Sequence, residues 1–130
     1  MTCAELHVAS MIMKTVSTTD HPHRHQSDAA PADLPSKEIL EITGDLLRAL
    51  AAPLRIAIVL QLRGSTRCVH ELVDALAVPQ PLVSQHLRIL KAAGVVAGER
   101  SGREVMYRLV DHHLTEIVVA AVAHAGEEPR

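Results

Sequence analysis

Residues 68–96, CVHELVDALAVPQPLVSQHLRILKAAGVV, carry the clearest structural pattern in the chain. Apolar residues recur at helical spacing in two runs, residues 69–77 and residues 80–93, and Gly94 follows the second run as a helix stop. Only a Val-Pro dipeptide separates the two runs, so the connection must be a tight turn. Two short helices joined in this way predict a helix-turn-helix.

The second helix of this pair is predicted to have an apolar side and a DNA-facing side. Its inward residues are Leu82, Val83, Leu87 and Leu90. The residues on the other side, which we predict to contact DNA, are Gln80, Pro81, Ser84, Gln85 and Arg88. Amide and hydroxyl side chains near the N-terminal end of such a helix can reach base edges in the major groove. The alternative is a solvated amphipathic helix. His86 lies on the apolar flank and is predicted to pack in the core rather than to touch DNA.

Residues 95–110 alternate between apolar and polar side chains, which predicts a β-hairpin. One face is predicted to carry Val105, Tyr107 and Leu109, and the other Met106 and Arg108. The turn reads Arg-Ser-Gly-Arg and places two cations, Arg100 and Arg103, at the tip. The second helix of the helix-turn-helix would be the recognition helix, and a hairpin that follows a recognition helix is called a wing. Its arginines suit contacts to phosphate or to the minor groove. We therefore predict that both arginines bind DNA.

Two more helices are predicted before the helix-turn-helix. Ser36 can cap a first helix, whose apolar face carries Ile39, Leu40, Leu46, Leu47 and Leu50. Pro53, whose fixed φ suits a first helical turn, opens a second helix over residues 54–63 that stops at Gly64. Tyr107 is the only aromatic residue of the chain, so the core must be aliphatic, which suits packed helices better than a sandwich or barrel. The predicted fold class is mainly α with a small β-hairpin wing.

The chain is predicted to divide into a tail, one folded domain and a short end. Residues 17–36 contain three prolines and few apolar side chains, a composition that cannot offset the entropy lost on ordering. We predict a mobile N-terminal tail over residues 1–35, a winged helix-turn-helix domain over residues 36–127 and a C-terminal end of residues 128–130.

The net charge of −2 conceals a separation of charge along the chain. Residues 46–110 carry nine Lys and Arg against four Asp and Glu, whereas residues 1–45 carry three against seven and residues 111–130 one against four. A basic middle between acidic ends is typical of a nucleic-acid-binding module. Two cysteines are too few for a secreted disulfide scaffold, and no apolar run reaches transmembrane length. We predict a cytoplasmic protein with no membrane partner.

The last twenty residues contain four side chains that suit a divalent metal: Asp111, His113, His124 and Glu127. The two histidines are eleven residues apart, so on one helix they project from the same stripe about 16 Å apart, too far for one ion. Two such helices lying antiparallel across a two-fold axis can form the site. Asp111 and His113 of one chain then meet His124 and Glu127 of its partner. Two imidazoles and two carboxylates are an ordinary tetrahedral zinc set. The alternative is a solvated polar end on a packing helix.

The terminal helix itself is predicted to pair with a second copy. Asp111 and His113, at i and i+2, would diverge within a helix, so Asp111 is predicted to be the N-cap. The apolar stripe of this helix is Leu114, Ile117, Val118 and Ala121. No partner for that stripe is evident within the chain, which predicts a homodimer formed through the terminal helices.

Residues 38–127 resemble the ArsR/SmtB family of winged-helix metal-sensing repressors, and most closely its zinc-sensing SmtB branch. The matching segments are LRALAAPLRIAIVLQL, CVHELVDAL, PLVSQHLRILKAAGVV, GERSGREVMYRL and DHHLTEIVVAAVAHAGEE. The resemblance implies a homodimer that binds a near-palindromic operator in double-stranded DNA when metal-free. It further implies that metal bound at the paired terminal helices lowers the DNA affinity. The family's terminal-helix ligands match Asp111, His113, His124 and Glu127.

The resemblance also points to a second metal site at the start of the third helix. Arsenic- and lead-type members carry Cys-Val-Cys there, whereas residues 68–71 of this chain read Cys-Val-His-Glu. One thiolate cannot make the three-thiolate site that arsenite requires, so arsenic sensing is not expected. Cys3 and His7 resemble the N-terminal residues that complete this site in some members. The residues of this possible second metal site are Cys68, His70, Glu71, Cys3 and His7. The alternative is that Cys68 is only a small packed residue.

The donor types favour zinc over copper(I), which prefers thiolate or thioether. Nickel and cobalt sensors on this scaffold typically add histidines, and this chain has His112 beside the set and His21, His23 and His25 upstream. A Co²⁺- or Ni²⁺-responsive repressor is therefore one alternative, and a metal-independent winged-helix regulator is another. A small zinc hydrolase is disfavoured because four donors fill the tetrahedron and leave no position for water. We predict a regulator and not an enzyme.

Overall fold

The computed structural model describes residues 29–127, and every helix and strand that it describes lies in the unit Pro35–Arg130. In chain order these elements are helix α1 (Lys37–Leu50), helix α2 (Pro53–Leu62), helix α3 (Val69–Leu76), helix α4 (Gln80–Ala92), strand β1 (Val96–Ser101), strand β2 (Glu104–Leu109) and helix α5 (His112–Ala125). The predicted class, mainly α with a β-hairpin wing, is confirmed. The predicted ends of α2, α3 and α4 differ from the observed ones by one residue. Most of the predicted tail, residues 1–28, lies outside the described residues.

A capping serine and a proline at the first helical position mark where α1 and α2 begin. Ser36 Oγ accepts a hydrogen bond from the backbone N–H of Ile39 at 3.2 Å, which satisfies one of the donors left open in the first turn of α1. Pro53 is the first residue of α2, a position where the N–H that proline lacks would have no helical partner. The predicted cap at Ser36 and the predicted opening of the second helix by Pro53 are confirmed, although α2 starts at Pro53 itself, one residue before the predicted range.

The turn of the helix-turn-helix depends on a left-handed residue. Ala77, the C-cap of α3, has φ 55° and ψ 43°, a conformation that glycine usually occupies. Its backbone N–H donates to the Val73 carbonyl at 2.8 Å and closes the last turn of α3. Pro79 then caps α4, which begins at Gln80.

A Schellman motif ends α4 and leads the chain into the wing. Gly94 has φ 76° and donates its N–H to the Lys91 carbonyl at 3.1 Å, while Val95 donates to the Leu90 carbonyl at 2.9 Å. Leu90 and Val95 are both fully buried. The C-terminal end of α4 is therefore fixed both by backbone hydrogen bonds and by packing.

The fully buried core is aliphatic, as the composition predicts. Its least exposed large side chains are Ile58, Val59, Leu72, Val83, Leu87, Leu90 and Val95. Burial of a side chain of this size contributes roughly 1.5–3 kcal/mol. The prediction for Leu82 is wrong, because this side chain is 37% exposed. The inward stripe of α4 runs through positions 83, 87 and 90, and position 82 lies about 100° away from it around the helix.

The wing is a two-stranded antiparallel sheet in which Val96 pairs with Leu109 and Gly98 with Tyr107. Gly98 allows a close approach, since a Cβ at this position would lie 2.9 Å from Val105 Cγ1 and 3.2 Å from Tyr107 Cε1. Arg67 exchanges two backbone hydrogen bonds with Tyr107 and joins the wing to the start of α3. The observed burial in β2 follows the predicted alternation, with half-buried Val105, Tyr107 and Leu109 and exposed Arg108, except at half-buried Met106.

The apolar faces of α1 and α5 differ from the prediction. Leu114 and Val118 belong to the chain's own core, so the predicted terminal stripe does have a partner within the chain, chiefly α2. Ile117 and Ala121 from the same stripe remain exposed. On α1, of the residues predicted to form one inward face, Leu50 is buried and Leu46 half-buried. The others stay exposed: Ile39, Leu40 and Leu47.

Candidate metal centre and DNA-binding surface

The N-terminal end of α5 brings the first two predicted ligands together. Asp111 is the N-cap, with φ −151° and ψ 171°, and its Oδ1 accepts a hydrogen bond from the backbone N–H of His113 at 3.0 Å. The same oxygen lies 3.4 Å from His113 Nδ1. The predicted cap is confirmed, because an extended residue at this position directs its carboxylate back towards the first turn. Asp111 and His113 therefore stand side by side and exposed.

The C-terminal end of α5 brings the other two predicted ligands together. His124 lies in the last turn, and its Nδ1 is 3.9 Å from Glu127 Oε2. Both side chains are exposed. The imidazole here also lies at the negative end of the helix dipole, which favours a cation bound nearby.

The two pairs are too far apart to act on one ion within one chain. Eleven residues of helix separate His113 from His124, a distance of about 16 Å, whereas a zinc–nitrogen bond is about 2 Å long. Within residues 29–127, no three His, Cys, Asp or Glu side chains lie close enough to hold a metal ion together. One chain therefore presents two separate donor pairs, each with one imidazole and one carboxylate, and each pair is a predicted half-site.

A second imidazole accompanies the first half-site. The ring centroids of His112 and His113 are 4.4 Å apart, with a tilt of 31° between the ring planes. His112 Nε2 also lies 3.9 Å from Glu116 Oε1, one helical turn further along. Two further donors thus adjoin the predicted pair at the start of α5.

The second predicted site coincides with a helix cap. Cys68 is a free, buried cysteine at the N-cap of α3, and its backbone N–H donates to Glu71 Oε1 at 3.0 Å. Hydrogen bonds from the Cys68 backbone and then from its thiol hold the pKa of Glu71 below its ordinary value of 4.5. His70 is exposed and lines a shallow pocket with Cys68 and the wing residue Glu104. The predicted contributors Cys3 and His7 lie outside the described residues.

The predicted DNA-binding residues form an exposed surface on α4 and the wing. Six of the seven side chains are exposed: Gln80, Pro81, Gln85 and Arg88 on α4, and Arg100 and Arg103 on the wing. Ser84 is half-buried. The buried stripe on the other side of α4 is what turns these polar side chains outward. The surface therefore combines amide groups that can read base edges with cations that can contact phosphate.

The sequence interpretation missed one contact of α4. His86 is half-buried, which agrees with its predicted packing, but its Nδ1 lies 3.2 Å from Arg55 Nη1 on α2. Arg55 is the only charged residue in the helix PLRIAIVLQL. A lone cation in an otherwise apolar central helix is the signal that could have indicated a specific partner.

Comparison with known proteins assigns the family. Residues 52–97 match the family model described as "Bacterial regulatory protein, arsR family". The chain is also 71% identical, over 112 residues and 82% of each protein, to the HTH-type transcriptional repressor SmtB of Mycobacterium tuberculosis strain H37Rv. The chain belongs to the ArsR family. For this ArsR-family chain, the sequence predicts a metal-responsive transcriptional repressor rather than an enzyme. The likeness to the SmtB repressor and to the family model confirms this function class.

Solved structures agree with the ArsR-family fold. The transcriptional repressor PagR of Bacillus anthracis is 29% identical, with a TM-score of 0.61 over 66% of this chain and 99% of that one. The homodimeric winged helix-turn-helix DNA-binding domain Mb0332 of Mycobacterium bovis is 24% identical, with a TM-score of 0.64 over 77% of this chain and 94% of that one, and shows the fold alone. Among the described residues of the ArsR-family chain, no helix is long and apolar enough to cross a membrane.

Proposed function

We propose that this ArsR-family chain is a zinc-responsive repressor that binds operator DNA as a metal-free homodimer in the cytoplasm. Zinc bound between two α5 helices lowers its DNA affinity. The observation that carries the proposal is the division of four donors into two pairs at opposite ends of α5. Asp111 and His113 of one chain, joined by the partner's His124 and Glu127, make the two-imidazole, two-carboxylate set that suits tetrahedral zinc.

A second copy fits the face of α5 on which both histidines lie. His113, Ile117, Ala120 and His124 are spaced at i, i+4, i+7 and i+11, on one side of the helix, and all four are exposed. If His113 faces the partner's His124 across a two-fold axis, that axis passes midway between positions 118 and 119. The same axis places Ile117 opposite the partner's Ala120. One antiparallel register therefore forms both metal sites and buries the apolar contact between them.

The apolar surface continues from α5 onto α1 and α2. A shallow groove between these helices is lined by residues that include Leu47, Ile56, Ile117 and Ala121. Leu47 is 49% exposed in the single chain. Contiguous exposed apolar surface of this kind marks an interaction site. The occupant that we propose is the second copy, because the metal site is incomplete without it.

A two-fold dimer also explains how α4 is used. Each chain presents one exposed α4 surface and one wing, so a dimer presents two of each and suits a DNA site with two-fold symmetry. Gln85 and Gln80 can read base edges, whereas Arg100 and Arg103 add charge that contacts phosphate.

Backbone hydrogen bonds connect the metal pair to α4. Val110, which immediately precedes Asp111, donates its N–H to the Val95 carbonyl at 3.0 Å. Val95 in turn donates to the carbonyl of Leu90, in the last turn of α4, at 2.9 Å. A movement of Asp111 on coordination is therefore passed through two hydrogen bonds to the recognition helix. Linkage then requires DNA to weaken zinc binding by the same factor by which zinc weakens DNA binding, typically about 1–3 kcal/mol.

A Co²⁺- or Ni²⁺-responsive repressor is the second candidate, and the His112–His113 ring contact of 4.4 Å favours it. Nickel and cobalt accept more than four ligands, and a change of rotamer at the exposed His112 and Glu116 would bring them to the same half-site. The two candidates differ in what His112 does. In a tetrahedral zinc site His112 is not a ligand, so the substitution His112→Ala leaves the metal affinity unchanged. In a six-coordinate site His112 is a ligand, so the same substitution lowers the metal affinity.

The test is a zinc titration by calorimetry, with and without a DNA duplex that the wild-type protein selects from a random library. We expect one tight zinc per chain in the free protein and weaker zinc binding by the DNA complex. His113→Ala should abolish tight zinc binding, and the neighbouring His112→Ala is the matched control. Equal zinc affinity in the presence and absence of DNA would overturn the proposal.

The second set of donors, Cys68, His70 and Glu71 with Cys3 and His7, stays a prediction. The same titration addresses it through stoichiometry. Binding confined to the α5 sites gives one zinc per chain. A second zinc per chain that is absent in Cys68→Ser would establish the second site.

A further inference from the structure

Arg55 links three helices through one side chain. From the first turn of α2, its Nε donates to the carbonyl of Ala49, near the end of α1, at 2.6 Å. Its Nη1 lies 3.2 Å from Nδ1 of His86 on α4. Both contacts are half-buried, which strengthens them relative to the same contacts in water. Arg55 therefore holds the recognition helix to the helices that precede it.

The chemistry of the guanidinium makes these contacts directional. The last carbonyls of a helix have no partner within it, and Arg55 supplies one to Ala49. A guanidinium holds its five donors in a rigid fork, so one side chain can serve two acceptors at fixed angles, which a lysine ammonium does not reproduce. Because Arg55 can only donate, His86 Nδ1 must accept, which leaves the ring proton on Nε2.

The remaining contacts of α4 are of a different kind. Val83, Leu87 and Leu90 pack into the aliphatic core, and such contacts are not directional. Within residues 29–127, the Arg55–His86 contact is the only side-chain hydrogen bond that joins α4 to another helix. It is therefore the directional contact that can limit rotation of α4 about its own axis.

We propose that Arg55 is a positioning residue for DNA reading, acting through His86. The residue next to His86 is Gln85, which is exposed and directed away from the core. By fixing His86, Arg55 sets the angle at which α4 presents Gln85 to base edges. Specific recognition depends on that angle, whereas phosphate contacts from the wing do not. The inference rests on the proposed DNA-binding function and adds a residue that itself does not touch DNA.

The first test compares variants of His86 on two DNA probes. The probes are the tightest duplex that the wild-type protein selects from a random library and a scrambled duplex of the same composition. His86→Leu keeps the bulk but has no acceptor, and we expect it to weaken binding of the selected duplex about tenfold, because the orientation of α4 that reads bases loses the support of one charge-assisted hydrogen bond. The affinity of His86→Leu for the scrambled duplex should stay within about twofold of the wild-type affinity.

Matched amide variants separate positioning from folding. His86→Asn places its oxygen near Nδ1, and His86→Gln places it near Nε2, so only the asparagine keeps an acceptor for Arg55. We expect His86→Asn to retain preference for the selected duplex and His86→Gln to lose it, at similar unfolding midpoints. Equal preference in the two variants would overturn the proposal, even if His86→Leu does not fold.

A double-mutant cycle tests whether His86 acts through Arg55. In an Arg55→Lys background the Arg55–His86 contact is already lost. Adding His86→Leu should therefore cause a further loss of affinity for the selected duplex of less than about twofold. A full tenfold loss in that background would mean that His86 acts on DNA by itself, and it would overturn this inference alone. Failure of the wild-type protein to enrich any duplex would instead overturn the proposed DNA-binding function, and this inference with it.

Discussion

The carboxylate of Asp111 accepts a hydrogen bond from the backbone N–H of His113 at 3.0 Å and lies beside the His113 ring. One side chain therefore both starts α5 and stands in the proposed zinc half-site. Its two roles depend on different properties, because capping needs an oxygen acceptor whereas zinc binding needs the carboxylate charge.

Substitution of Asp111 should separate these two roles. Asp111→Asn keeps the capping oxygen, so its free energy of unfolding should stay within about 0.5 kcal/mol of wild type, while Asp111→Ala should lose about 1 kcal/mol. Both lack the charge, so both should weaken zinc binding by about tenfold or more. Urea unfolding and competition with a zinc chelator measure the two effects. Wild-type zinc affinity in Asp111→Asn would remove this residue from the site.

The wing and α4 should contribute to DNA binding in different ways. Arg103→Ala should weaken binding to all duplexes alike and reduce the slope of log K against log salt by about 0.9, the value for one phosphate contact. Gln85→Ala should instead reduce the preference between duplexes that differ in single base pairs. Fluorescence anisotropy over a salt series measures both effects. An unchanged ranking of duplexes in Gln85→Ala would show that the reading face lies elsewhere.

The turn of the helix-turn-helix should tolerate glycine better than alanine. Ala77 has a φ of 55°, where a Cβ is unfavourable, so Ala77→Gly should raise the free energy of unfolding by about 0.5–1 kcal/mol. Ala75→Gly, an exposed position within α3, is the matched control and should lower that free energy by about 1 kcal/mol. Equal destabilisation by both substitutions, measured by urea unfolding, would contradict the observed turn conformation.

Glu71 should make part of the stability depend on pH. Its pKa is lowered by hydrogen bonds from Cys68, so the stability from those bonds is fully present above about pH 4.5 and is lost as the pH falls through the folded-state pKa. Glu71→Gln should therefore unfold at a lower urea concentration than wild type at pH 7, and the difference should shrink in acid. Glu99→Gln, exposed on β1, is the control. A difference that is constant from pH 7 to pH 3 would contradict this account.

Most of the fold could be predicted because local signals and packing agree. Ser36, Pro53 and Gly94 mark helix ends through their own backbone chemistry, and the alternation in the wing follows from the geometry of a strand. Leu82 shows where this reasoning fails, since apolar character alone does not say which flank of a helix meets a neighbour. Leu114 and Val118 show the same limit on α5, where contact with α2 divided a stripe that the sequence presents as one.

The candidate site could be predicted only in part. The cap at Asp111 and the two donor pairs follow from spacing along one helix, which the sequence contains directly. The Arg55–His86 contact joins residues that are 31 positions apart, and no local periodicity contains that information. Likewise the face through Ile117 and Ala120 became recognisable only once the structure showed which side of α5 the chain itself covers.

The most direct measurement is the zinc stoichiometry of a heterodimer made from one His113→Ala chain and one His124→Ala chain, purified through two different tags. In the shared antiparallel site both losses fall in the same place, so the other site is wholly wild type. We expect this heterodimer to bind one zinc tightly and either mutant homodimer to bind none. A heterodimer that binds no zinc, or a homodimer that binds two tightly, would contradict the shared site.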